Sequence, residues 1–292
     1  MGYGSYSASD WTKLKNSRQL TKDKSVEEVF TKRSCDPKYD PKYIGTRECF
    51  DSEDHPNTTP IVVGLDVTGS MGYLAVEVAT GALNELITKL YSTGTVEDPA
   101  LMCAAYGDYQ DKSPLQVTQF ESDIRIAQQL LDIYFENGGN GQVVPTCLWE
   151  FLAKHTNIDA IRKRNEKGFV FTIGDEALIR ENSVDSTISN VIGDATSYGT
   201  REAVLADVQE KFNVFHIMLG RRNASNDELL PGHTITIGRD EIGNIPEIII
   251  STIQMQKGKD LEEVLLQWEE LDRPALRSAL SQLSFMESGL SL

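Results

Sequence analysis

The stretch PIVVGLDVTGSMG, residues 60–72, combines a buried strand with a polar turn. Its apolar run, residues 61–65, is rich in β-branched side chains, which is typical of a strand buried on both faces. Side chains that carry oxygen follow at alternate positions where the strand should end, namely Asp66, Thr68 and Ser70. One carboxylate and two hydroxyls on a tight turn supply the hard oxygen ligands that Mg²⁺ prefers. The stretch therefore predicts a metal site at a strand end, and a turn whose hydroxyls only cap the next helix is the alternative.

Charge is distributed unevenly along the 292 residues. Residues 1–59 hold ten basic and ten acidic side chains, so the net charge of −16 belongs to residues 60–292. An acidic body repels phosphate backbones, which argues against broad nucleic-acid binding. No apolar run approaches the length of a membrane span, and residues 1–30 lack the apolar segment of a secretory signal. We therefore expect a soluble, cytoplasmic protein that contacts no membrane.

The spacing of the four cysteines does not indicate a metal or disulfide framework. Cys103 and Cys147 lie in apolar surroundings and are expected to be small buried side chains. Cys35, Cys49 and His55 could form a disulfide or part of a zinc site, but they match no usual zinc spacing and supply only three ligands. We expect free thiols.

Segments typical of strands and helices alternate from residue 60 onward. Strands are predicted from short apolar or alternating runs, at residues 61–65, 101–106, 115–120, 169–173, 214–219 and 234–237. Helices are predicted from apolar residues that recur every three or four positions, at residues 71–93, 124–134 and 200–212 and from residue 146. This alternation implies an α/β fold with a doubly wound, mostly parallel sheet and helices on both faces.

Two aspartates follow predicted central strands of this sheet. Asp66 ends the first strand, and Asp175 follows the strand at residues 169–173. Ligands of such sheets bind at the carboxyl ends of the strands, near the point where the strand order reverses. We therefore expect both aspartates at one rim of the sheet, where they can form a single site.

The segment Asp66–x–Thr68–x–Ser70 resembles the first metal-binding motif of von Willebrand factor A (vWA) domains, Asp-x-Ser-x-Ser, with threonine for the first serine. The resemblance covers about residues 60–256. Asp175 in FTIGDE occupies the place of the family's strand-end aspartate, although the usual Thr-Asp-Gly is here Ile-Gly-Asp. The family's middle loop supplies a threonine, and the candidates are Thr146, which could instead cap a helix, and Asn140 as a substitute oxygen donor. The resemblance also favours a last helix at residues 244–256, where β propensity and a helix-start pattern conflict.

The resemblance implies a non-enzymatic protein–protein interaction module with a metal-ion-dependent adhesion site. Mg²⁺ or Mn²⁺ would be held by Ser70 and Thr68 directly, by Asp66 and Asp175 directly or through water, and by Thr146. An Asp or Glu of a partner protein would complete the coordination. Residues expected to face that partner are Gly69, Asn140 and Asp108, a solvated hairpin turn being the alternative for Asp108. The loops are most similar to those of intracellular bacterial, phage and alpha-kinase-linked vWA domains, which implies an assembly subunit or an AAA+ ATPase as partner.

Three parts of the chain are predicted. Residues 1–59 form an N-terminal arm, partly irregular, that packs on the domain or on a neighbouring subunit, with a disordered leader as the alternative. Residues 60–256 form the vWA domain, and residues 257–292 form a C-terminal helical tail. The arm or the tail could form a homo-oligomer. Because all predicted core segments follow residue 60, removal of residues 1–55 is expected to leave a folded domain.

A phosphatase of the haloacid-dehalogenase type is one alternative function. These enzymes also place an aspartate at the end of a first strand and bind Mg²⁺. They require a second aspartate two residues later as acid and base, and this chain has Thr68 there. The sequence therefore favours the interaction module.

RNA binding is a second alternative, because one ring-shaped RNA-binding protein carries a vWA domain. The one dense basic cluster comprises Arg162, Lys163, Arg164 and Lys167. A solvated loop explains this cluster as well, and the net charge of −16 argues against a nucleic-acid partner.

Overall fold

A computed structural model describes residues 4–139, 143–178 and 184–285. In chain order its strands are β1 (Arg47–Cys49), β2 (Thr58–Asp66), β3 (Asp98–Tyr106), β4 (Leu115–Val117), β5 (Thr156–Ile158), β6 (Gly168–Gly174), β7 (Phe212–Leu219) and β8 (Thr234–Ile237). Its α-helices are α1 (Ala8–Arg18), α2 (Val26–Val29), α3 (Gly72–Glu77), α4 (Leu83–Thr93), α5 (Arg125–Leu131), α6 (Pro145–Lys154), α7 (Asp159–Arg164), α8 (Val184–Val191), α9 (Arg201–Val208), α10 (Ala224–Leu229), α11 (Ile245–Gln256), α12 (Leu261–Leu266) and α13 (Arg273–Leu280).

The central sheet has six strands in the order β4-β3-β2-β6-β7-β8. Neighbours pair in parallel except at the edge, where β4 runs antiparallel to β3. The predicted doubly wound α/β class is confirmed. A separate two-stranded parallel sheet joins β1 to β5.

The register of the central strands determines where the polar residues meet. Asp66 pairs with Tyr106 of β3, and Leu65 pairs with Ile173 of β6. The chain leaves β2 toward β3 on one side and later returns to β6 on the other side. The carboxyl ends of β2 and β6 therefore flank the reversal point of the sheet, where such folds bind ligands, and Asp175 follows β6 directly.

Two hydrophobic cores cover the two faces of the sheet. Along β2, Ile61, Val63 and Leu65 face the core that includes α4 and α11, whereas Val62 faces the core that includes α6 and α9. Successive side chains of a strand point to opposite faces, so a strand covered on both sides must be apolar at nearly every position. This burial explains the continuous apolar run that the sequence shows.

The helix predicted after β2 is present, but it is not regular throughout. A π-helical turn at Val78–Ala82 separates α3 from α4, and Gly94 ends α4 with a φ of 59°. Glycine adopts this left-handed conformation at little cost. The last helix is also confirmed as α11, and ten of its twelve residues are buried. Burial on both sides of a helix explains a composition that resembles a strand.

The N-terminal arm packs onto the domain rather than extending from it. Helix α1 of the arm was not predicted, because Gly, Ser and Tyr dominate the residues that precede it. Ser7 caps this helix by accepting a hydrogen bond from the Asp10 amide. Trp11 and Phe30 join the core that includes α4, and the Phe30 ring lies 5.9 Å from that of Phe135. The expectation that residues 1–55 are dispensable is therefore revised.

The C-terminal tail covers α11 and the edge strand β8. Trp268 donates a hydrogen bond to Ser251 of α11 at 2.8 Å. The Gln282 side chain accepts from the Thr236 amide at 3.0 Å and donates to the Thr236 carbonyl at 2.9 Å, as a neighbouring strand would. Covering an edge in this way leaves fewer backbone groups open to pairing with another chain.

Several short elements were not predicted, and the structure also shows the state of the cysteines. Helix α8 was not predicted, and β5, α7 and α10 are short elements without a clear sequence pattern. All four cysteines are free. Among the described residues, no helix has both the length and the apolar character that a membrane span requires.

Candidate metal centre

The turn after β2 holds the carboxylate of Asp66 in a fixed orientation. Its Oδ1 accepts hydrogen bonds from the Thr68 amide at 2.8 Å and from the Thr68 hydroxyl at 2.7 Å. The other oxygen, Oδ2, is buried and has no hydrogen-bond partner among the described residues. A buried carboxylate oxygen without a partner is costly, because it has lost its water and gained nothing in exchange.

Asp175 lies within reach of the same turn, although it is far from it in sequence. The Ser70 hydroxyl donates to Asp175 Oδ1 at 3.2 Å, and the hydroxyls of Ser70 and Thr68 are 3.5 Å apart. Gly174 makes this approach possible, since a Cβ there would lie 3.1 Å from Asp66 Oδ2. The structure therefore brings together four of the predicted ligands, Asp66, Thr68, Ser70 and Asp175.

A cationic side chain that sequence reasoning missed completes the surroundings of Asp175. The Arg239 guanidinium contacts Asp175 Oδ2 at 2.5 Å and lies 5.8 Å from the centre of the Tyr73 ring. Arg239 follows β8 and leads into α11, so no local pattern connects it with Asp175. Both oxygens of Asp175 are thus occupied, one by a hydroxyl and one by a guanidinium.

Burial alters the acidity of Asp66. Removal from water raises the pKa of Asp66 to about 7, the hydrogen bonds from Thr68 act in the opposite direction, and the nearby charges of Asp175 and Glu176 raise it further. A pKa near neutrality means that Asp66 is only partly ionised at pH 7 without a compensating cation. A bound cation would favour the ionised form.

The middle loop packs against the turn that carries Thr68. The Gly69 amide donates to the Gly138 carbonyl at 2.9 Å. A Cβ at Gly139 would lie 2.9 Å from Thr68 Cγ2, and the φ of 121° at Gly139 favours glycine. The loop thus uses glycine to approach the first motif closely, and Gly69 is engaged by its backbone in this contact.

The structure describes only one of the two residues predicted to be the ligand from the family's middle loop. Thr146 is the second residue of α6 and is 2% exposed, and the residue at the cap position is Val144. Thr146 is therefore not the cap of this helix, and its role as a ligand stays a prediction. Asn140 lies outside the described residues.

Asp108 is part of the turn after β3 and not of the surface. It is 1% exposed, and its carboxylate accepts a hydrogen bond from the Gln110 amide at 2.9 Å. The turn itself buries this carboxylate, and the expected contact between Asp108 and a partner stays a prediction. Asp111 was missed: its carboxylate lies against Gly107 and Gly138, so it connects this turn with the middle loop.

Similarity to known proteins was found among solved structures and not among sequences. No protein-family model matches this sequence, and no curated protein sequence is similar to it. Similar solved structures include the pilus adhesin SpaC of Lactobacillus rhamnosus GG (12% identity, TM-score 0.49, 73% of this chain and 32% of SpaC) and a von Willebrand factor type A protein of Catenulispora acidiphila (10%, 0.44, 70% and 44%). A third is proximal thread matrix protein 1 of the mussel byssus with a zinc-occupied MIDAS motif (12%, 0.45, 72% and 50%).

The doubly wound sheet and the oxygen-bearing turn after β2 agree with the vWA resemblance of the first motif. The chain spans a third to a half of the length of these structures. At 10–12% identity and TM-scores below 0.5, the likeness does not extend to what those proteins bind.

The residues at this rim of the sheet fit a divalent cation. Asp66 Oδ2 is an acceptor without a partner, and Gly174 leaves space beside it. Carboxylate and hydroxyl oxygens suit Mg²⁺ or Mn²⁺ rather than a softer metal. Among the described residues no group of three or more His, Cys, Asp or Glu could hold a metal. The candidate centre therefore depends on hydroxyl ligands as well as carboxylates.

The other chemical candidates are engaged elsewhere. In the basic cluster, Lys163 and Arg164 both pair with Asp51, at 3.3 and 2.8 Å, and Lys163 also pairs with Asp159. Because these ion pairs neutralise part of the positive charge, the cluster is less able to attract the phosphates of RNA. His216 is 1% exposed, and burial lowers its pKa to about 4.

Proposed function

We propose that this protein is a metal-dependent protein-interaction module, in which the rim site binds Mg²⁺ or Mn²⁺ and presents it to a carboxylate of a partner protein. The observation that carries the proposal is the buried Asp66 carboxylate, whose Oδ2 has no hydrogen-bond partner among the described residues. Asp175 lies close to the same turn, because the Ser70 hydroxyl donates a hydrogen bond to its carboxylate. Two carboxylates at a sheet rim repel each other, and a divalent cation between them removes that repulsion.

Each protein group has a distinct task in the proposed site. Ser70 and Thr68 would supply hydroxyl oxygens, and the carboxylates of Asp66 and Asp175 would balance the charge of the ion, directly or through water. Thr146, at the start of α6, is proposed as the ligand that the family's middle loop supplies. Mg²⁺ takes six ligands and usually keeps several waters, so a partner's Asp or Glu can replace one of them.

The contact within the first turn favours binding over phosphatase chemistry. In the phosphatase hypothesis the residue two positions after the aspartate must donate and accept a proton as a carboxyl group. Here the Thr68 hydroxyl donates to Asp66 Oδ1 at 2.7 Å, and a threonine hydroxyl does not titrate near neutral pH. This geometry supports a role for Thr68 in orienting Asp66 and, when metal is bound, in ligation.

Calorimetric titration with Mg²⁺ and Mn²⁺ tests metal binding directly. We expect one ion for each chain, and a large loss of affinity in Ser70→Ala and in Asp175→Ala. The double variant should lose little more than either single variant, because both remove ligands of one ion and so are not additive. Cys35→Ser, in the arm, is the control and should bind as wild type does.

Acceptance of a carboxylate requires a second measurement. Water-proton relaxation reports the water bound to Mn²⁺, and a glutamate-containing peptide that enters the coordination shell should displace part of it. The matching glutamine peptide is the control and should not. Absence of any bound metal in the first experiment, or equal effects of the two peptides in the second, would contradict the proposal.

A further inference from the structure

A groove of about 700 Å³ opens beside the candidate metal centre, at the carboxyl ends of β6 and β7. Three kinds of residue line it. Asp175 and Glu176 belong to the metal side, Leu178 and Met218 are apolar and almost completely buried, and the exposed residues after β7 include two arginines, Arg221 and Arg222. The groove is therefore continuous with the proposed metal site.

The apolar part of the groove is held in place by a buried amide. Asn226 is fully buried, and its Oδ1 accepts a hydrogen bond from the Leu178 amide at 2.8 Å. Its Nδ2 contacts the sulfur of Met218 at 3.6 Å, and Arg201 donates to the Leu178 carbonyl at 2.7 Å. A surface that is already ordered loses less entropy when it binds a partner.

The charge of the groove differs from that of the chain. The body carries the net charge of −16, yet two adjacent arginines line this groove. Arg222 pairs with Asp227 at 2.6 Å, whereas Arg221 makes no ion pair with any other residue that the structure describes. A guanidinium binds carboxylates through two parallel hydrogen bonds, so Arg221 is suited to recognise an acidic side chain.

We propose that this groove binds an extended acidic segment of the partner protein. One carboxylate of the segment reaches the metal beside Asp175, and a second pairs with Arg221. A small or apolar side chain between them packs over Leu178 and Met218. The inference rests on the proposed metal-dependent function for its first carboxylate, but the second contact depends on Arg221 alone. The acidic body would repel a phosphate backbone along its length, whereas a short segment meets mainly the groove that Arg221 lines.

Selection from phage-displayed random dodecapeptides on the immobilised full chain tests the proposal. In Mg²⁺, we expect enriched peptides with two acidic residues at a constant spacing. The charge-reversal variant Arg221→Glu should lose the preference for the second acid and select a basic residue there. Arg33→Glu reverses an exposed arginine outside the groove, and this control should select the same peptides as wild type.

The affinity of one enriched peptide, synthesised and labelled, quantifies the contact. Its Kd for Arg221→Glu should be at least tenfold weaker than for wild type, as expected when an attractive charge contact becomes repulsive. Replacement of the second acidic residue by its amide should weaken binding to wild type and strengthen binding to the variant, because it removes an attraction in the first case and a repulsion in the second.

The outcomes separate this inference from the proposed function. Peptides with one acid, selected only in Mg²⁺ and unaffected by Arg221→Glu, would overturn the groove and leave the metal-dependent function standing. Peptides that need Arg221 but bind equally in EDTA would support the groove and contradict the metal bridge. Recovery of no peptide, or of peptides without acidic residues, would overturn the groove.

Discussion

Asp66→Asn is expected to reverse the stability order of wild type and variant when Mg²⁺ is added. Burial raises the pKa of Asp66 from 3.8 to about 7 in the folded protein. Because the folded-state pKa is the higher one, the stability that the bound proton contributes is lost as the pH rises from 3.8 through 7. At pH 8 the metal-free wild type therefore carries the full cost of a buried charged carboxylate.

The pKa values give the size of this cost. A rise from 3.8 to about 7 corresponds to about 4 kcal/mol of unfolding free energy at pH 8. Asparagine at this position removes the charge and keeps an oxygen that accepts the hydrogen bonds from Thr68. Its amide nitrogen then takes the place of Oδ2, which has no hydrogen-bond partner among the described residues. An unsatisfied buried donor costs about 1–3 kcal/mol, so the metal-free variant should be more stable by about 1–3 kcal/mol.

Added metal should stabilise only the wild type. Mg²⁺ at about a thousand times its Kd contributes about 4.1 kcal/mol to a protein that binds it in the folded state alone, which exceeds the advantage of the metal-free variant. The variant has lost the charge that attracts the ion and should gain little. Urea denaturation at pH 8, in EDTA and in Mg²⁺, measures all four free energies.

A matched variant controls for the loss of a buried aspartate. Asp98 begins β3 at the end of the strands opposite the candidate centre and is 9% exposed, so Asp98→Asn should keep the full response to Mg²⁺. The reasoning about Asp66 would be refuted if Asp66→Asn were less stable than wild type in EDTA, or if both responded equally to the metal.

Three further predictions concern other parts of the molecule. Arg239→Gln should bind Mg²⁺ about threefold to tenfold more tightly, because the guanidinium and the ion compete for Asp175, and calorimetry measures the change. His216→Gln should resist acid better: the folded-state pKa of about 4 lies below 6.5, so wild-type stability falls as the pH drops through this window. At pH 5 the loss from this histidine is about 2 kcal/mol relative to pH 7, measurable by urea denaturation. Removal of residues 1–55 should yield a destabilised or insoluble chain, because the arm contributes Trp11 and other buried side chains to the core; circular dichroism melting checks it.

Each of these predictions has a control or a contrary result. Arg222→Gln, which removes an arginine paired with Asp227, should leave Mg²⁺ affinity nearly unchanged. Unchanged or weaker affinity in Arg239→Gln would mean that the guanidinium does not compete with the ion. Parallel pH profiles for wild type and His216→Gln would remove His216 as a cause of acid sensitivity. A truncated chain with the melting temperature of the full chain would show that the arm is dispensable.

Local sequence was enough for the class of fold and for three of the four oxygen-bearing residues that meet in the candidate site. The β-branched run at residues 61–65 fixed a doubly covered strand, and the spacing of Asp66, Thr68 and Ser70 placed three oxygens on the turn that follows. These features depend on the two-residue period of a strand and on turn geometry, which neighbouring residues determine. The order of segments then implied a parallel sheet and a shared rim.

Tertiary structure decided which distant groups meet and which are buried. Ser70 contacts Asp175 because β2 and β6 are neighbours in the sheet, and Arg239 contacts Asp175 because β8 ends at the same rim. Asp108 had the polar, turn-like sequence of a surface residue, yet the turn encloses it. Pairing across more than a hundred residues and the loss of contact with water arise from how the whole chain packs. A short stretch of sequence determines neither the long-range pairing nor the burial.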